Sequence, residues 1–540
     1  MSGDDTAPTG PDLSAGVAVA EIGEGIAYPG HVAGEPAMLV RNSGKLFCVG
    51  SKCTHYGGPL DEGIIVGGTV RCPWHHAAFS LETGRMVRTP ALHDIPCWIV
   101  EERDGKAFVT GRRPSDDIPG VAPDGDATAS HRDGQTGHPS SVVIVGAGAA
   151  GTIAAVTLRR EGYAGPVTLI DQGESTPVDR PNLSKDYLAG NAPEEWMPLL
   201  PDSFYSENSI DLRLRTRVNE IDVANQSVIL DDGSRIGFDS LLLTTGAEPI
   251  RLNMPDAGQT VHYLRTLSDS RAIIERAKTA KRAVVIGASF IGLEVAASLS
   301  TRGLHVTVVA PEKLPLERIL GAELGHFIKG VHESHGVKFK LEQTVTGVTA
   351  DGATTSAGES LAADLVVAGV GVRPNVGLAE RAGIATDKGV LVNEYLETSA
   401  PGIYAAGDIA KWPDPHTGQN IRVEHWVVAE RQGQCAARNI LRAKSGKRER
   451  FDHIPFFWSN HYDVAIGYVG NAMKWDDIEI SGDLESNDAA VRFKMAERTL
   501  AVATIFRDRE NLEAEVEMEK ALDRLMMTDS ATVRDSGMAP

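Results

Sequence analysis

Two short clusters in the first hundred residues place thiol and imidazole side chains at matching positions. The first is Cys53-Thr54-His55 and the second, after 16 intervening residues, is Cys72-Pro73-Trp74-His75. Each cluster supplies one cysteine and one histidine, which together suit a 2Fe-2S centre with two cysteines on one iron and two histidines on the other. His76 is an alternative to His75, but the two-residue gap after Cys72 favours His75. We therefore predict that the cluster ligands are Cys53, His55, Cys72 and His75.

The segment of roughly 90 residues around these clusters resembles Rieske ferredoxin domains. In high-potential relatives each of the two Cys-His sequence motifs contains an additional cysteine. Here Gly58 and Trp74 occupy those positions. The resemblance is therefore to the ferredoxin and oxygenase type, nearer the low end of the roughly −150 to +300 mV Rieske range. His76 stands where the family usually has glycine, which leaves the conformation of its loop open. Cys48 and Cys97 are predicted to be ordinary core residues.

A glycine motif follows the apolar residues 141–145 and precedes an alanine-rich stretch. It reads Gly146-Ala147-Gly148-Ala149-Ala150-Gly151. In the order strand, glycine turn, helix, the first glycine permits the turn, the second lets the backbone approach a pyrophosphate, and the third lets helix and strand pack closely. The helix N-terminus also stabilises the phosphate charge. Asp171, after the next predicted strand, is placed to accept a ribose hydroxyl, so the sequence predicts a dinucleotide site.

A second copy of the motif, Gly287-Ala288-Ser289-Phe290-Ile291-Gly292, follows the apolar residues 283–286. Two such sites in one chain predict a flavin and a nicotinamide cofactor that face each other. Ser289 replaces the middle glycine, a small residue that is tolerated with a slight shift of the phosphate.

The residues after the second strand of this unit bear on the choice of nicotinamide cofactor. Ala310 takes the position that corresponds to Asp171, and Glu312 follows two places on. Lys313 is only a weak candidate for holding a 2′-phosphate, and Arg318 lies too far along. We therefore predict NADH in preference to NADPH.

Four further segments, residues 179–185, 244–249, 369–375 and 403–408, together resemble the FAD-dependent ferredoxin reductases that serve oxygenases. The resemblance covers about residues 141–450. It implies that Lys185 lies near the flavin, that Asp408 holds the ribityl chain, that Trp426 lies against the isoalloxazine edge and that Glu294 meets the nicotinamide amide. Plainer interpretations stay open, with Lys185 and Glu294 as solvated helix charges and Trp426 as a core residue. The predicted cofactor-binding residues are Gly146, Gly148, Ala149, Ala150, Gly151, Asp171, Arg180, Lys185, Val218, Gly246, Gly287, Ser289, Gly292, Glu294, Glu312, Gly371, Gly407, Asp408 and Trp426.

An N-terminal Rieske domain fused to such a reductase is similar to the apoptosis-inducing-factor-like oxidoreductases, and Phe456-Phe457-Trp458-Ser459 resembles the start of their C-terminal cap. The predicted fold is therefore multidomain: an all-β Rieske domain, an α/β flavoprotein of the glutathione-reductase-like type with two dinucleotide domains, and an α+β cap. The predicted boundaries are 12–112 for the Rieske domain, 113–140 for a flexible linker, 141–260 and 385–450 for the FAD-binding domain, 261–384 for the NAD(P)-binding domain, 451–527 for the cap and 528–540 for a disordered tail.

Composition narrows the classes of partner. With 53 basic and 73 acidic residues the formal net charge is −20, which disfavours nucleic acid and anionic membranes as partners. No apolar run approaches the roughly 20 residues of a spanning helix, and the acidic N-terminus lacks the features of a secretory signal, so a cytoplasmic location is expected. Small ligands and a protein electron acceptor are the expected partners, with the chain a monomer or homodimer.

Electron transfer from reduced nicotinamide through FAD to the chain's own cluster is the function predicted from this combination, with no side-chain acid, base or nucleophile obligatory. A linker of about 30 residues spans roughly 30 Å, so the cluster domain is expected to visit the flavin and swing away. A disulfide reductase would need a cysteine pair beside the flavin, whereas Cys435 is the only cysteine after residue 140. Two alternatives stay open: an NADH-responsive redox-sensing protein, and a reductase in which the Rieske domain serves only for docking.

Overall fold

A computed structural model describes residues 10–113, 137–254 and 261–535, except for the side chains of residues 525–535. Most of the predicted linker, residues 114–136, lies outside the described residues, as do residues 255–260 of the first FAD-binding segment. Among the described residues, no helix combines the length and apolar character needed to cross a bilayer.

The N-terminal unit consists of two antiparallel sheets, with one core between the two sheets and a second core on the other face of the larger sheet. Its two predicted ligand loops leave the sheets on one side: residues 51–63 follow a strand of the larger sheet, and residues 72–77 connect two strands of the smaller sheet. The larger sheet contains, in spatial order, Val17–Ala18, Lys106–Arg112, Cys97–Arg103, Lys45–Gly50, Glu35–Asn42 and Ala27–Val32, and the smaller contains Ile64–Val66, Thr69–Arg71, Ala78–Ser80 and Met86–Arg88.

The first dinucleotide unit is a parallel sheet with helices packed against it. The strand before the first glycine motif, Val142–Val145, is fully buried and lies near the centre of the sheet, because apolar residues without alternation suit a strand covered on both faces. The strand order is Ile210–Arg213, Val167–Ile170, Val142–Val145, Ser240–Leu243 and Ile403–Ala405. The helices are Ala149–Arg160, Arg180–Ser184, Asp186–Ala189, Asp202–Glu207, Gly377–Arg381 and Trp426–Arg442, and the smaller strands are Val218–Asp222, Ser227–Leu230, Arg235–Gly237, Ala247–Pro249, Val372–Pro374, Val390–Leu391, Ala410–Asp414 and Gln419–Ile421.

The second dinucleotide unit repeats this plan. Its central parallel strands have the order Val261–Tyr263, Leu365–Ala368, Arg282–Ile286, His305–Val309 and Lys338–Lys340, with helices Leu267–Ala277, Phe290–Thr301 and Glu317–Ser334 and a meander of Val345–Thr349, Gly352–Thr355 and Ser360–Ala362. The predicted boundary at residue 384 is too late, because Leu378, Ala379 and Ile384 pack in the core of the first unit. The chain therefore returns to the first unit before the helix Gly377–Arg381.

The C-terminal unit is an antiparallel sheet covered by one long helix. The strands have the order Phe456–His461, Val464–Gly470, Arg498–Ile505, Asp488–Met495 and Asp477–Asp483, and the helix is Asp508–Asp535. The prediction of disorder from residue 528 is wrong as far as Asp535, because the helix continues to that residue. Propagating an established helix requires little additional free energy per residue, even through a sequence of modest helix propensity. Residues 536–540 lie outside the described part of the chain.

Candidate functional site

The first glycine motif forms a turn in which side chains would collide with backbone. Gly146 has a φ of 106°, and a Cβ there would meet the carbonyl oxygen of Thr244. A Cβ on Gly151 would meet the carbonyl of Gly146. Gly148 is different, because a Cβ there would lie 3.3 Å from the guanidinium of Arg180. The backbone at Gly148 is therefore open toward a cationic side chain, as a pyrophosphate site requires.

Two arginines and two carboxylates, Asp408 and Asp171, lie next to this turn. Arg265 donates to Asp408 at 2.8 Å. The positive charge of Arg265, together with burial, lowers the pKa of Arg180 to about 10. The two neighbouring guanidinium groups place several N–H donors beside the glycine turn. This donor set fits the pyrophosphate of FAD.

An open cleft extends from the turn toward the other two units. Its wall includes ten of the predicted residues: Gly148, Ala149, Ala150, Arg180, Lys185, Gly246, Glu294, Gly407, Asp408 and Trp426. Gly146 and Gly151 lie beneath the turn, and Asp171 accepts the backbone N–H of Ala147 at 2.7 Å. Val218 does not reach this cleft, since its side chain is buried in the core of the first unit.

Glu294 is the most extensively bonded side chain on the cleft wall. It is 5% exposed, and its Oε2 lies 2.9 Å from the Lys185 ammonium and accepts from the Ser184 hydroxyl at 2.5 Å. Its Oε1 accepts from the Ser459 hydroxyl at 2.6 Å. The interpretation of Lys185 and Glu294 as solvated helix charges is therefore wrong, because the two side chains form a largely buried ion pair that lines the cleft.

The second glycine motif forms a similar turn in the second unit. A Cβ on Gly287 would lie 2.5 Å from the carbonyl oxygen of Gly369. Ser289 begins the helix Phe290–Thr301 as its N-cap: its hydroxyl accepts from Gly292 N at 3.2 Å and donates to Gly369 O at 2.7 Å. The serine at the middle glycine position thus caps the helix.

Glu312 and Gly371 are the remaining predicted cofactor-binding residues. The buried Oε2 of Glu312 has no hydrogen-bond partner among the described residues. Gly371 has a φ of 101°, in the region that glycine adopts readily, next to the strand Val372–Pro374. A buried carboxylate oxygen without a partner fits a site that takes a hydroxyl donor, as the ribose of NADH would supply.

The four predicted cluster ligands converge at the tips of the two loops. The Nδ1 atoms of His55 and His75 lie 3.2 Å apart. Cys53 and Cys72 are both buried, and a hydrogen bond from the Cys72 thiol lowers the pKa of Cys53. Among the described residues, no three His, Cys, Asp or Glu side chains group around one metal ion. Paired thiols and paired imidazoles instead fit a Rieske centre, in which each iron takes two protein ligands.

His76 points away from this centre. Its φ of 61° is the left-handed conformation that glycine adopts readily and histidine occasionally. Its ring stacks on Phe456 with a centroid distance of 4.0 Å, and Nδ1 lies 3.1 Å from Glu515 on the C-terminal helix. The histidine at a position that is usually glycine therefore serves a contact between units.

Glu515 is the centre of a buried charge cluster between the N-terminal unit and the reductase. Its carboxylate lies 2.6 Å from Arg88 of the N-terminal unit and 2.7 Å from Arg431 of the helix Trp426–Arg442. Both Glu515 and Arg431 are wholly inaccessible to solvent. Glu519, one turn along, pairs with Arg71 at 2.6 Å and with Arg88 at 2.8 Å.

A second polar contact between these units lies closer to the cleft. Tyr56, whose ring stacks on His55 at 3.9 Å, donates a hydrogen bond to Asp179, the residue before Arg180. Burial, followed by the nearby charge of Asp179, raises the pKa of Glu430 well above its ordinary value. Burial and this neighbouring charge therefore both favour the neutral form of the Glu430 carboxyl.

Trp458 lies between the cleft and the two loops that carry the predicted iron ligands. Its indole lines the cleft, and its ring centroid lies 4.2 Å from that of His75 and 6.2 Å from that of His55. The strand Phe456–His461 positions this side chain between the second unit and the cluster loops. A single aromatic side chain thus reaches from the cleft to a predicted iron ligand.

Several of these residues are absent from the sequence prediction. Arg265, Tyr56 and Glu515 gave no individual signal, because each acts through a partner far away in the chain. Asp179 belongs to the recognised segment 179–185, but that resemblance assigned it no role. Trp458 and Ser459 belong to the recognised segment 456–459, but that resemblance assigned them no role. His76 gave the clearest signal, since it occupied a position where glycine is usual.

Residues 140–433 match the family described as pyridine nucleotide-disulphide oxidoreductase, and residues 15–99 match the Rieske [2Fe-2S] domain. The chain belongs to the pyridine nucleotide-disulphide oxidoreductase family. The predicted family resemblance and fold class are confirmed. As a member of this family with a Rieske domain, the chain is an NAD(P)H-dependent flavoprotein oxidoreductase of the ferredoxin-reductase type that binds FAD and carries a 2Fe-2S cluster.

Three relatives illustrate the relationship of this oxidoreductase to known proteins. It is 32% identical to apoptosis-inducing factor 3 of Mus musculus, over 87% of this chain and 77% of the relative. It is 35% identical to putidaredoxin reductase CamA of Pseudomonas putida, over 68% of this chain and 89% of the relative. The solved ferredoxin reductase for the CYP199A2 system from Rhodopseudomonas palustris superposes with a TM-score of 0.65 at 33% identity, and the match covers 68% of this chain and 91% of that one.

Proposed function

We propose that this oxidoreductase passes electrons from NAD(P)H through FAD to its own Rieske cluster, bound by Cys53, His55, Cys72 and His75, and from there to an external protein acceptor. The observation that carries the proposal is the position of Trp458, which lines the cleft and packs on the ring of His75. The flavin supplies the conversion from two-electron to one-electron chemistry, while the protein supplies placement and electrostatics.

The docked position of the N-terminal unit supports internal transfer. The histidine side of the cluster loops faces the cleft, and Tyr56 bonds to Asp179 beside the flavin-binding turn. Buried ion pairs of Glu515 hold the same unit against the reductase. Transfer from the cleft to the cluster therefore needs no swing of the domain, although a later step that presents the cluster to an acceptor is compatible with the predicted linker.

The relatives support a protein as the final acceptor. Putidaredoxin reductase and the reductase of the CYP199A2 system are named for a separate partner. In the present chain a Rieske domain precedes the reductase in the same polypeptide. We infer that the fused domain replaces a diffusing ferredoxin in the first electron transfer and that an electron-transfer protein or an oxygenase receives the electrons next.

Anaerobic mixing with NADH in a stopped-flow instrument is expected to bleach the flavin first and the cluster second. The second phase should have a rate that does not change with protein concentration, because the flavin and the cluster belong to one chain. Electron paramagnetic resonance should then show the reduced cluster. In the Cys53→Ser variant, the first phase should persist and the second should disappear.

A second phase whose rate rises in proportion to protein concentration would contradict internal transfer, as would a cluster that stays oxidised beside a reduced flavin. The Cys48→Ser variant is a matched control, because this buried cysteine lies in the core of the larger sheet, apart from the ligand loops.

NADH is the nicotinamide cofactor that Glu312 favours. A buried carboxylate that loses a charged hydrogen bond gives up about 1.5–3 kcal/mol. The Glu312→Ala variant should therefore have a KM for NADH that is roughly 10- to 100-fold higher, with a much smaller change for NADPH. Steady-state kinetics with ferricyanide measures both constants. Glu317→Ala, in the first turn of the following helix, is a control, and an unchanged preference in Glu312→Ala would refute this role.

A further inference from the structure

Oxidation of NAD(P)H by one-electron acceptors releases a proton as well as electrons. The balance is NAD(P)H → NAD(P)⁺ + 2 e⁻ + H⁺, with each electron reducing one equivalent of the acceptor. One proton per NAD(P)H must therefore leave the cleft, whichever acceptor takes the electrons. Glu294 is the carboxylate of the cleft wall that has a hydrogen-bonded connection leading away from the cleft.

The connection is a continuous row of polar side chains. The Ser459 hydroxyl donates to Glu294 Oε1 at 2.6 Å and lies 3.2 Å from His461 Nε2. His461 Nδ1 lies 3.1 Å from His332 Nε2. These three side chains come from the strand Phe456–His461 and the helix Glu317–Ser334, which pack against each other. The row thus begins at the cleft and ends inside the second dinucleotide unit.

Both histidines are neutral. Burial, with a smaller contribution from the charge of Lys185, lowers the pKa of His461 to about 3. Burial, with smaller contributions from His461 and His335, lowers the pKa of His332 well below its ordinary value. A neutral imidazole donates from one nitrogen and accepts at the other, and a hydroxyl does both. A row of such groups passes a proton in either direction when the hydroxyl turns and the rings exchange tautomers.

The far end of the row approaches the surface. His332 Nδ1 is buried and has no hydrogen-bond partner among the described residues. The ring of Tyr462 lies between His332, at a centroid distance of 5.4 Å, and the exposed His335, on which it stacks at 3.6 Å. Buried polar atoms in proteins are rarely without a partner, so we infer that a water molecule bonds to His332 Nδ1 and completes the connection to the surface.

We propose that Glu294, Ser459, His461 and His332 form a proton path that carries the proton of NAD(P)H oxidation from the cleft to the surface beside His335. Glu294 takes up the proton, Ser459 and His461 relay it, and His332 Nδ1 releases it. Glu294 is the residue at the reacting site, and the other three act through it. The path does not rest on internal transfer to the Rieske cluster, because any one-electron acceptor leaves the same proton.

The kinetic test uses the full-length holoenzyme with NADH, ferricyanide and a pH indicator. Ser459→Ala and His461→Phe interrupt the row, whereas Ser459→Thr keeps a hydroxyl. Reduction of the flavin by NADH should stay within about twofold of wild type, while turnover with ferricyanide and proton release should both slow at least about tenfold in the interrupted variants. Ser459→Thr should restore both rates. His262→Gln, at a half-buried histidine of the strand Val261–Tyr263, is the matched control.

A second measurement does not depend on turnover. Histidine side chains labelled with ¹⁵N should report both His461 and His332 as neutral and hydrogen bonded at pH 7. Glu294→Gln should shift the ring nitrogens of His332, although His332 does not contact Glu294, and should leave His262 unchanged. His332 resonances that do not respond to Glu294→Gln would overturn the path, as would proton release at the wild-type rate in Ser459→Ala and His461→Phe. Loss of cluster reduction with normal proton release would instead disprove internal transfer alone.

Discussion

Replacement of Glu515 by alanine is expected to lower the free energy of unfolding by about 3–5 kcal/mol and to release the N-terminal unit from the reductase. The carboxylate lies within 2.7 Å of both Arg88 and Arg431 in a site without solvent access. Its removal leaves the buried guanidinium of Arg431 without an anion and leaves Arg88 with Glu519 as its remaining carboxylate partner. Most of the penalty comes from the unpaired charge of Arg431, since a buried ion pair contributes little by itself.

Urea unfolding monitored by tryptophan fluorescence measures this loss, and limited proteolysis within residues 114–136 measures the release. Glu519→Ala is the control, because Glu519 is 23% exposed and both of its arginine partners keep the carboxylate of Glu515 nearby. Glu519→Ala should lower the free energy of unfolding by less than about 1 kcal/mol. Wild-type stability and wild-type cleavage rates in Glu515→Ala would show that the ion pairs of Glu515 do not hold the N-terminal unit against the reductase.

The pH dependence of this contribution has a definite sign. Burial alone would raise the pKa of Glu515, but the charges of Arg431 and Arg88 hold it well below its ordinary value of 4.5. Because the folded-state pKa is the lower one, the stabilisation is fully present above about pH 4.5 and is lost as the pH falls through the folded-state value. The difference in unfolding free energy between wild type and Glu515→Ala should therefore be constant between pH 6 and 8 and shrink in acid.

Local patterns made much of the fold predictable. The two glycine motifs sit within strand, turn and helix, so Gly146 and Gly287 could be placed from neighbouring residues alone. The ligand set of Cys53, His55, Cys72 and His75 stays a prediction, which depends on paired Cys and His at matching spacings that packing rarely demands. The end of the helix Asp508–Asp535 was not predictable, because helix propagation and tertiary packing outweigh local propensity there.

Contacts between distant segments could not be predicted. Arg265 meets Asp408, and His76 meets Glu515, across separations of 143 and 439 positions that no local spacing records. The same holds for Trp458, whose segment was recognised but whose neighbour His75 lies in another unit. A residue that departs from its local pattern, as His76 does, is the sequence feature that can indicate such a contact.

Trp458→Ala should slow the reduction of the Rieske cluster without slowing the reduction of the flavin by NADH. NADH should still reduce the flavin at a rate close to that of wild type, because Glu294, Lys185 and the phosphate-binding turn are unchanged. Reduction of the cluster should slow at least about tenfold, since the protein's part in electron transfer is to hold the two centres in close contact. Because Trp458 is half-buried and lines the cleft, the truncation should cost less than the value of about 3–5 kcal/mol that is typical of a fully buried tryptophan.

Trp458→Phe distinguishes these two effects, because it keeps an aromatic ring at the position and loses less packing. It should retain most of the rate of cluster reduction while Trp458→Ala does not. Trp196→Ala, at a half-exposed tryptophan that does not line the cleft, controls for the general loss of an indole. Equal rates of cluster reduction in Trp458→Ala and wild type, measured at matched flavin and iron content, would mean that electrons reach His75 without passing this side chain, with the contact between Tyr56 and Asp179 as the remaining bridge.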